Sequence, residues 1–219
     1  SLAEQHQVPM FQSAMQATEL VANLNEILSR HLAPSTTDHG SMVDVYGIGM
    51  LFIGRSGIGK SEVSLDLVER GHRLVADDVV RIRREGSIVL IGSGHELLEH
   101  RLEVRGIGIM DVRRMFGIRS IRAQKRLEVV VELVEWDPHE SFDRLGLDEQ
   151  MTEILGVDIP YVRLPIFPGK NITVLAEAIA LNQLLKIYGE YPAREFQDQL
   201  LEKIREQSNL RDYLRKDYE

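Results

Sequence analysis

The pattern of apolar and polar residues predicts a mixture of strands and helices. Short apolar runs bounded by glycine or charged residues are typical of strands, and apolar residues three or four positions apart are typical of helices. On this basis we predict strands over residues 41–46, 49–53, 72–76, 79–83, 87–91, 126–134 and 157–164. Helices are predicted over residues 12–32, 60–69 and 172–187, with one more beginning at Pro192.

Turn residues divide these elements. Gly47 and the pair Glu85-Gly86 predict hairpin turns, and Gly71 predicts the end of the helix that begins at residue 60. Residues 35–38 follow a proline and are interpreted as a linker.

Three of the predicted helices differ in their apolar faces. The helix over 12–32 has one apolar face, which fits either a place in the core or the tail of an upstream domain. The helix over 172–187 is apolar on most faces, which indicates burial. The last helix carries Phe196, Leu200 and Ile204 on one stripe and charges on the other face. It is expected at the surface or against a neighbouring subunit.

Composition narrows the functional classes. No apolar run approaches the ~18 residues that span a bilayer, and the first residues lack a secretory signal pattern. The absence of cysteine excludes disulfides and thiolate metal sites and fits a reducing, cytoplasmic location. A formal charge of −8, from 34 acidic and 26 basic residues, argues against sequence-independent nucleic-acid binding. We therefore expect neither a membrane nor a nucleic acid as partner.

The most specific motif is a G-x-x-x-x-G-K-S loop between a predicted strand and a predicted helix. Its residues are Gly54, Arg55, Ser56, Gly57, Ile58, Gly59, Lys60 and Ser61. Such a loop surrounds an anion with backbone N–H groups at a helix N-terminus. Lys60 is expected to reach the β- and γ-phosphates, and the Ser61 hydroxyl to bind Mg²⁺. The predicted fold class is therefore α/β: a P-loop nucleotide-binding core with a mixed β-sheet, flanking helices and a C-terminal helix.

Two adjacent acids follow the apolar run at residues 74–76. Asp77 and Asp78 resemble a Walker B element, whose carboxylate holds Mg²⁺. One acid could support the metal while the other accepts a proton from an attacking hydroxyl. The alternative is an exposed turn with two solvated carboxylates.

Three further features are ambiguous by themselves. Residues 102–111, with Gly106 and Gly108, indicate backbone close to a ligand or to another chain, or else a strand-to-helix connection. His39 is either a turn residue or a site residue. Arg144 is either a turn arginine paired with the preceding acid, or a cation that stabilises a transferring phosphoryl group.

Together these motifs resemble those of the HPr kinase/phosphorylase family. Members of this family are bacterial enzymes that phosphorylate a serine of the phosphocarrier protein HPr and also remove that phosphate. The resemblance extends from about residue 3 to residue 197. Its motifs, in order, are residues 34–40, the P-loop, and residues 71–78, 102–111, 142–146 and 168–171. The Glu-x-Arg-Gly-x-Gly run within 102–111 is the family's own signature.

The resemblance implies a role for each matching residue. The family's active-site residues correspond to His39, Lys60, Asp78 and Arg144. Its nucleotide loop corresponds to Gly54 through Ser61, and its Mg²⁺ ligands to Ser61 and Glu103. Asp78 would act as the base in phosphorylation and, protonated, as the acid in the reverse reaction. Supporting roles are expected for Asp77, Arg105 and Lys170.

The resemblance also implies cofactors and partners. ATP with Mg²⁺ would phosphorylate HPr or a homologue, and inorganic phosphate would remove the phosphoryl group as pyrophosphate, in regulation of carbon metabolism. A cytoplasmic hexamer is implied, whose C-terminal helix contacts substrate bound to a neighbouring subunit. Residues 102–111 would serve both activities, and residues 165–170 mainly dephosphorylation.

This sequence departs from the family pattern at two positions. Arg55 stands where members usually carry an acid, which leaves the preference for ATP or pyrophosphate open, and Lys170 stands where arginine is expected. Residues 1–33 are interpreted as the last strand and linking helix of an N-terminal domain, and residues 34–219 as the catalytic domain. Two other functions remain open, a small-molecule P-loop kinase and a nucleotide-dependent regulatory switch.

Overall fold

The computed structural model describes residues 2–95, 100–137, 139, 150–167 and 169–203. In this part of the chain no helix is long and apolar enough to cross a membrane. The helices are α1 (Leu2–Gln5), α2 (Ala17–His31), α3 (Lys60–Glu69), α4 (Val112–Phe116), α5 (Ile172–Ile187) and α6 (192–203). The strands are β1 (Ser35–His39), β2 (Ser41–Val45), β3 (Ile48–Ile53), β4 (Arg73–Ala76), β5 (Val79–Glu85), β6 (Val89–Gly94), β7 (Arg101–Val104), β8 (Gly108–Asp111), β9 (Gln124–Arg126), β10 (Val129–Glu135), β11 (Gln150–Ile154) and β12 (Val157–Ile166).

A six-stranded mixed sheet carries the P-loop. Its strand order is β11-β12-β10-β3-β2-β4. Strands β3, β10 and β12 are parallel, whereas β2 runs antiparallel to β3 and β4, and β11 runs antiparallel to β12. The predicted α/β class with a mixed sheet is confirmed. Strand β11 was not predicted from the sequence.

Both faces of this sheet are buried. Successive side chains of a strand point to opposite faces, so Met50 and Phe52 of β3 pack with Leu67 of α3 and Ala176 of α5. Leu51 faces the other way and belongs to a second cluster with apolar residues of β5 and β6. Full burial of a side chain such as Phe52 contributes roughly 1.5–3 kcal/mol. The P-loop therefore follows a strand that is fixed from both sides.

The second sheet is antiparallel, with the order β1-β5-β6-β9. It contains the predicted hairpin at Glu85-Gly86, where β5 ends. The prediction of a linker over 35–38 is wrong, because β1 occupies these residues and pairs with β5 along its whole length. This edge strand is mostly exposed, so no apolar alternation marks it in the sequence. Its hydrogen bonds to β5 define it instead.

The N-terminal part of the chain differs from the prediction. Helix α2 begins at Ala17 rather than at residue 12, and the described part of 2–33 forms no strand. The apolar residues of α2 at positions 21, 24, 27 and 28 are exposed. Within the described chain this helix is therefore not part of the core.

Residues 101–111 form a hairpin rather than a simple connection. Strands β7 and β8 pair from Arg101 with Asp111 to Val104 with Gly108. Helix α4 follows at once, and the Asp111 side chain caps it by accepting a hydrogen bond from the Arg114 N–H at 2.9 Å. Leu102 is fully buried in the core on the α3 side of the main sheet. This buried face fixes the position of the hairpin beside the P-loop.

Helix α5 has the predicted bounds, but the prediction of general burial is wrong. Its buried residues are Ile172, Thr173, Ala176, Glu177 and Ala180, whereas Val174 and Leu181 are exposed. The reason is that α5 lies on one face of the sheet, and its outer face has no cover within the described chain.

The described part of α6 presents its apolar stripe to the surface. Phe196 and Leu200 are exposed, and Ile204 lies outside the described residues. This agrees with the surface position expected for the last helix.

A buried carboxylate joins α5 to α3 and β4. Glu177 accepts hydrogen bonds from Arg70 Nε at 2.9 Å and Nη2 at 2.5 Å, and its Oε1 lies 3.0 Å from His72 Nε2. The Arg70 hydrogen bonds, with a smaller contribution from His72, lower the pKa of Glu177 to about 2. The charged form of Glu177 is therefore stabilised in the fold.

We predict that Glu177→Gln lowers the free energy of unfolding by roughly 1–2 kcal/mol at pH 7, because it removes a charged hydrogen-bond acceptor. The folded pKa of Glu177 is below its ordinary value of 4.5. Its stabilisation is therefore complete above pH 4.5 and is lost as pH falls toward 2. Denaturant unfolding of both proteins at pH 7 and pH 3 measures this. The loss of unfolding free energy caused by Glu177→Gln should be smaller at pH 3 than at pH 7. The exposed control Glu153→Gln should cause no loss at either pH. A loss of the same size at both pH values would contradict the prediction.

Candidate active site

The P-loop leaves the sheet at the carboxyl end of β3. Gly54 has φ +137°, and a Cβ there would lie 2.5 Å from the Leu133 carbonyl oxygen of β10. Gly59, which precedes α3, has φ +109°. Both are positive φ values, which residues other than glycine rarely adopt. The glycines at these positions therefore determine the path of the loop.

The first turn of α3 is built to receive an anion. Gly59 offers no side chain to cap the helix, and the first helical hydrogen bond runs from the Val63 N–H to the Gly59 carbonyl at 3.0 Å. The N–H groups before Val63 have no acceptor within the helix, and such groups bind phosphate at a helix N-terminus. Lys60 Nζ donates to the carbonyls of Gly54 at 3.0 Å and Arg55 at 3.1 Å. These bonds hold the ammonium group across the loop.

Asp77 is the hydrogen-bonding centre of the site. It follows β4, is 5% exposed, and accepts hydrogen bonds from Ser41 Oγ of β2 and from Ser61 Oγ of α3, the latter at 3.0 and 3.1 Å. The backbone N–H of Glu103 in β7 donates to its Oδ2 at 3.2 Å. Burial raises the pKa of Asp77, and the hydrogen bonds from Ser41, Ser61 and Glu103 oppose this rise. One carboxylate thus connects four elements around the loop.

Asp78 differs from its neighbour in exposure and backbone. It is exposed and has φ +66°, a left-handed conformation that is uncommon for any residue except glycine and is tolerated best by Asn and Asp. Its carbonyl accepts the Gly40 N–H at 3.2 Å. Backbone outliers of this kind concentrate at functional sites. The sequence therefore places one buried and one accessible carboxylate side by side.

The β7–β8 hairpin closes the other side of the cleft. Arg105 Nη2 donates to Ser56 Oγ at 3.3 Å, and its guanidinium covers Gly57, where a Cβ would lie 2.3 Å from Nη1. Glu103 is exposed toward the cleft. The residues that line the cleft are Ser56, Gly57, Gly59, Lys60, Ser61, Glu62, Asp77, Asp78, Glu103 and Arg105.

The oxygen donors in the cleft suit a hard divalent cation. Ser61, Asp77 and Glu103 present a hydroxyl and two carboxylates, the ligand types that Mg²⁺ prefers. Among the described residues, however, no group of three or more His, Asp or Glu side chains is arranged to hold a metal alone. This fits Mg²⁺ sites of P-loop proteins, where phosphate oxygens and waters complete the coordination.

Comparison with known proteins identifies the family. A family model described as the HPr Serine kinase C-terminal domain matches residues 30–200. The chain belongs to the HPr kinase family. It is 53% identical over 203 residues to an HPr kinase/phosphorylase of Chloroherpeton thalassium, covering 93% of this chain and 60% of the relative. It is 52% identical over 218 residues to one of Prosthecochloris aestuarii, covering 97% of this chain and 64% of the relative.

A solved structure shows the same fold. The HPr(Ser) kinase/phosphatase from Coxiella burnetii superposes with a TM-score of 0.67 at 34% identity, over 74% of this chain and 98% of the other. The resemblance inferred from the motifs is thus confirmed. The chain spans about 60% of the length of the HPr kinase relatives it matches.

Not every residue predicted for the HPr kinase site lines the cleft. His39 is exposed at the end of β1 opposite Val79, which places its backbone beside that of Asp78. Lys170 lies with its ammonium 4.3 Å from the Phe167 ring centroid and borders a depression next to α3. Arg144 lies outside the described residues.

The remaining loop residues serve the loop itself. Gly54 sets its path, as described above. Ile58 is partly buried against the core on the α3 side of the sheet. Arg55 is turned outward and forms an ion pair with Glu135 at the end of β10.

Three polar residues of the site were not predicted. Ser41 is fully buried and donates to Asp77, Glu62 lines the cleft, and Glu135 pairs with Arg55. Ser41 offered one signal, a small polar residue at the start of an apolar strand. The other two are acidic residues in ordinary sequence contexts, and only the fold brings them to the loop.

We predict that Lys60→Ala weakens the binding of ATP and of pyrophosphate by about a hundredfold or more, because it removes the cation held across the loop. Isothermal titration calorimetry in the presence of Mg²⁺ measures both affinities. Lys186→Ala, at the far end of α5, is the matched control and should bind like the unaltered protein. Near-normal affinity in Lys60→Ala would show that this loop is not the phosphate site.

Proposed function

We propose that this chain is the catalytic part of a bifunctional HPr kinase/phosphorylase. It transfers the γ-phosphoryl group of ATP to a serine of HPr or a homologue, and uses inorganic phosphate to remove it, releasing pyrophosphate. The observation that carries the proposal is the pair of carboxylates beside the P-loop. Asp77 is buried and fully engaged, whereas Asp78 is exposed toward the cleft.

The donor side of the reaction rests on the loop and on Asp77. The N–H groups at the start of α3 and the ammonium of Lys60 bind the phosphate chain. Ser61 and Glu103 would hold Mg²⁺, with Asp77 supporting Ser61 through its hydrogen bond, and the metal would offset charge on the β- and γ-phosphates. Arg105, which already contacts Ser56, keeps Glu103 against the loop.

The acceptor side rests on Asp78. In the forward direction the serine oxygen attacks the γ-phosphorus, its proton passes to the Asp78 carboxylate, and ADP leaves. In the reverse direction a phosphate oxygen attacks the phosphoserine phosphorus. The protonated Asp78 then returns its proton to the serine oxygen, and pyrophosphate leaves. Asp77 is unsuited to this task because its two oxygens already accept three hydrogen bonds within the protein.

The other expectations belong to the same proposal. His39, at the end of the strand beside Asp78, and Arg144 act on the transferring phosphoryl group.

The enzyme is a cytoplasmic hexamer that regulates carbon metabolism. Residues 1–33 belong to an N-terminal domain, and 34–219 to the catalytic domain. The family relationship supports the roles proposed for His39 and Arg144, and the greater length of the matched relatives supports an N-terminal domain.

A two-stage labelling experiment tests the function. The protein is incubated with Mg²⁺, HPr and ATP labelled at the γ-phosphate, and then with excess unlabelled phosphate after ATP is removed. Label should first appear on a serine of HPr and then in pyrophosphate. Label on a small metabolite would favour a small-molecule kinase, and label only in free phosphate would favour a nucleotide-dependent switch.

We predict different losses for the two aspartates. Asp78→Asn should lose both phosphorylation and dephosphorylation of HPr but still bind ATP, because an amide can neither accept nor deliver the proton. Asp77→Asn should act mainly through Mg²⁺, so raised Mg²⁺ should partly restore its rate. Initial rates over a range of Mg²⁺ concentrations measure this. If raised Mg²⁺ restores Asp78→Asn and not Asp77→Asn, the two roles are reversed.

Lys170 should matter more for dephosphorylation than for phosphorylation. The reverse reaction brings a phosphoserine dianion against free phosphate, so it needs additional positive charge near the cleft. Lys170 borders a depression that shares Glu62 with the cleft. Lys170→Ala should therefore slow phosphate-dependent removal at least about tenfold more than ATP-dependent phosphorylation. Equal losses, or none in either direction, measured on one preparation would remove Lys170 from the mechanism.

A further inference from the structure

Two aromatic residues lie at the sheet edge from which the P-loop emerges. The carboxyl ends of the parallel strands β3, β10 and β12 meet at this edge, where ligands of α/β sheets bind. The P-loop follows β3, Trp136 follows β10, and Phe167 follows β12. The Trp136 N–H donates to the Ile166 carbonyl at 3.3 Å, so the two chain segments leave the sheet side by side.

The two rings form a supported but open surface. Their centroids are 6.0 Å apart with an interplanar angle of 56°, and the Lys170 ammonium lies 4.3 Å from the Phe167 centroid. Trp136 nevertheless remains 51% exposed. Phe167 therefore braces one side of the indole, and much of the indole stays accessible to a ligand. An indole has a large planar face on which any nucleobase can stack.

Two contacts place the end of β10, which Trp136 follows, against the P-loop. The Leu133 carbonyl of β10 lies against Gly54, the first residue of the loop. Two residues further along β10, Glu135 forms an ion pair with Arg55 of the loop. Trp136 is the next residue. The ion pair of Arg55 and the indole of Trp136 are thus both at the carboxyl end of β10, one residue apart along the chain.

We propose that Trp136, braced by Phe167, is the stacking surface for the purine base of the nucleotide whose phosphates bind to the P-loop. Arg55 lies beside the part of the nucleotide that joins base and phosphates. Trp136 is then a binding residue and Phe167 a positioning residue. The proposal rests on the proposed function insofar as that function includes ATP as a ligand. It adds that affinity for ATP exceeds affinity for its phosphate chain alone because of this contact.

Fluorescence can test the contact directly, because Trp136 is the only tryptophan in the chain. The protein is titrated with ATP and, separately, with inorganic tripolyphosphate, each with Mg²⁺. ATP should quench or shift the emission of Trp136, whereas tripolyphosphate should bind, as seen by calorimetry, without doing so. An equal change with both ligands would show that the indole senses movement of the loop, and would overturn the proposal.

Variants separate base binding from phosphate binding. Trp136→Ala should raise the Kd for ATP roughly tenfold or more, as alanine substitutions of base-stacking aromatics do, and leave the Kd for tripolyphosphate within about twofold. Trp136→Phe should restore most of the ATP affinity. Phe167→Ala should weaken ATP but not tripolyphosphate, and should reduce the ATP-induced change in Trp136 emission. The control is Tyr188→Ala, an exposed aromatic at the far end of α5, which should change neither affinity.

The outcomes distinguish this proposal from the proposed function. If the unaltered protein binds both ligands and Trp136→Ala keeps its ATP affinity, the base does not stack on Trp136, and the phosphate site stands. If Trp136→Ala weakens both ligands equally, the side chain supports the fold of the loop, and the proposal also fails. If the unaltered protein binds neither ligand, the proposed function itself is wrong.

Discussion

The buried carboxylate of Asp77 is the interaction on which the rest of the site depends. It accepts hydrogen bonds from Ser41 and Ser61 and from the Glu103 backbone, which belong to β2, α3 and β7. These elements are far apart in the sequence, and their relative positions decide where the phosphate chain, the metal and the acceptor group meet. A buried carboxylate without partners would be strongly unfavourable. Each of the three donors therefore stabilises the buried Asp77 carboxylate and connects its own element to the cleft.

The fold provides the rigid surroundings that such a centre needs. The strand before the P-loop is covered by α3 and α5 on one face and by the second sheet on the other. The strand β4, which ends at Ala76 just before Asp77, lies at the edge of the same sheet beside β2. Asp77 is thus fixed by the sheet, and Asp78, one residue later, turns into the cleft with a left-handed backbone. The adjacent carboxylates acquire different environments because the strand ends between Ala76 and Asp77.

The features that could be predicted from the sequence are those that depend on the local pattern of residues. The P-loop is a contiguous motif whose glycines and flanking elements follow from short-range rules, and the strands before and after it are apolar runs. Strand β1 was missed because its pairing with β5, rather than its own pattern, forms it. The burial of α5 was overestimated because apolar composition does not show which face meets the sheet. Ser41 and Glu135 reach the site only through strand order, which the pattern of a single chain does not determine.

Hydrogen exchange in Asp77→Ala tests most directly whether Asp77 organises the site. If the account is correct, the amide of Glu103 and its neighbours in the β7–β8 hairpin should exchange at least about tenfold faster than in the unaltered protein, because a hydrogen bond to a charged acceptor is lost. The amides of β10 and β12, which do not contact Asp77 through hydrogen bonds, should keep their protection. Unchanged exchange in the hairpin would contradict the account, because the hydrogen bond from Glu103 to Asp77 would then add nothing to the stability of the hairpin.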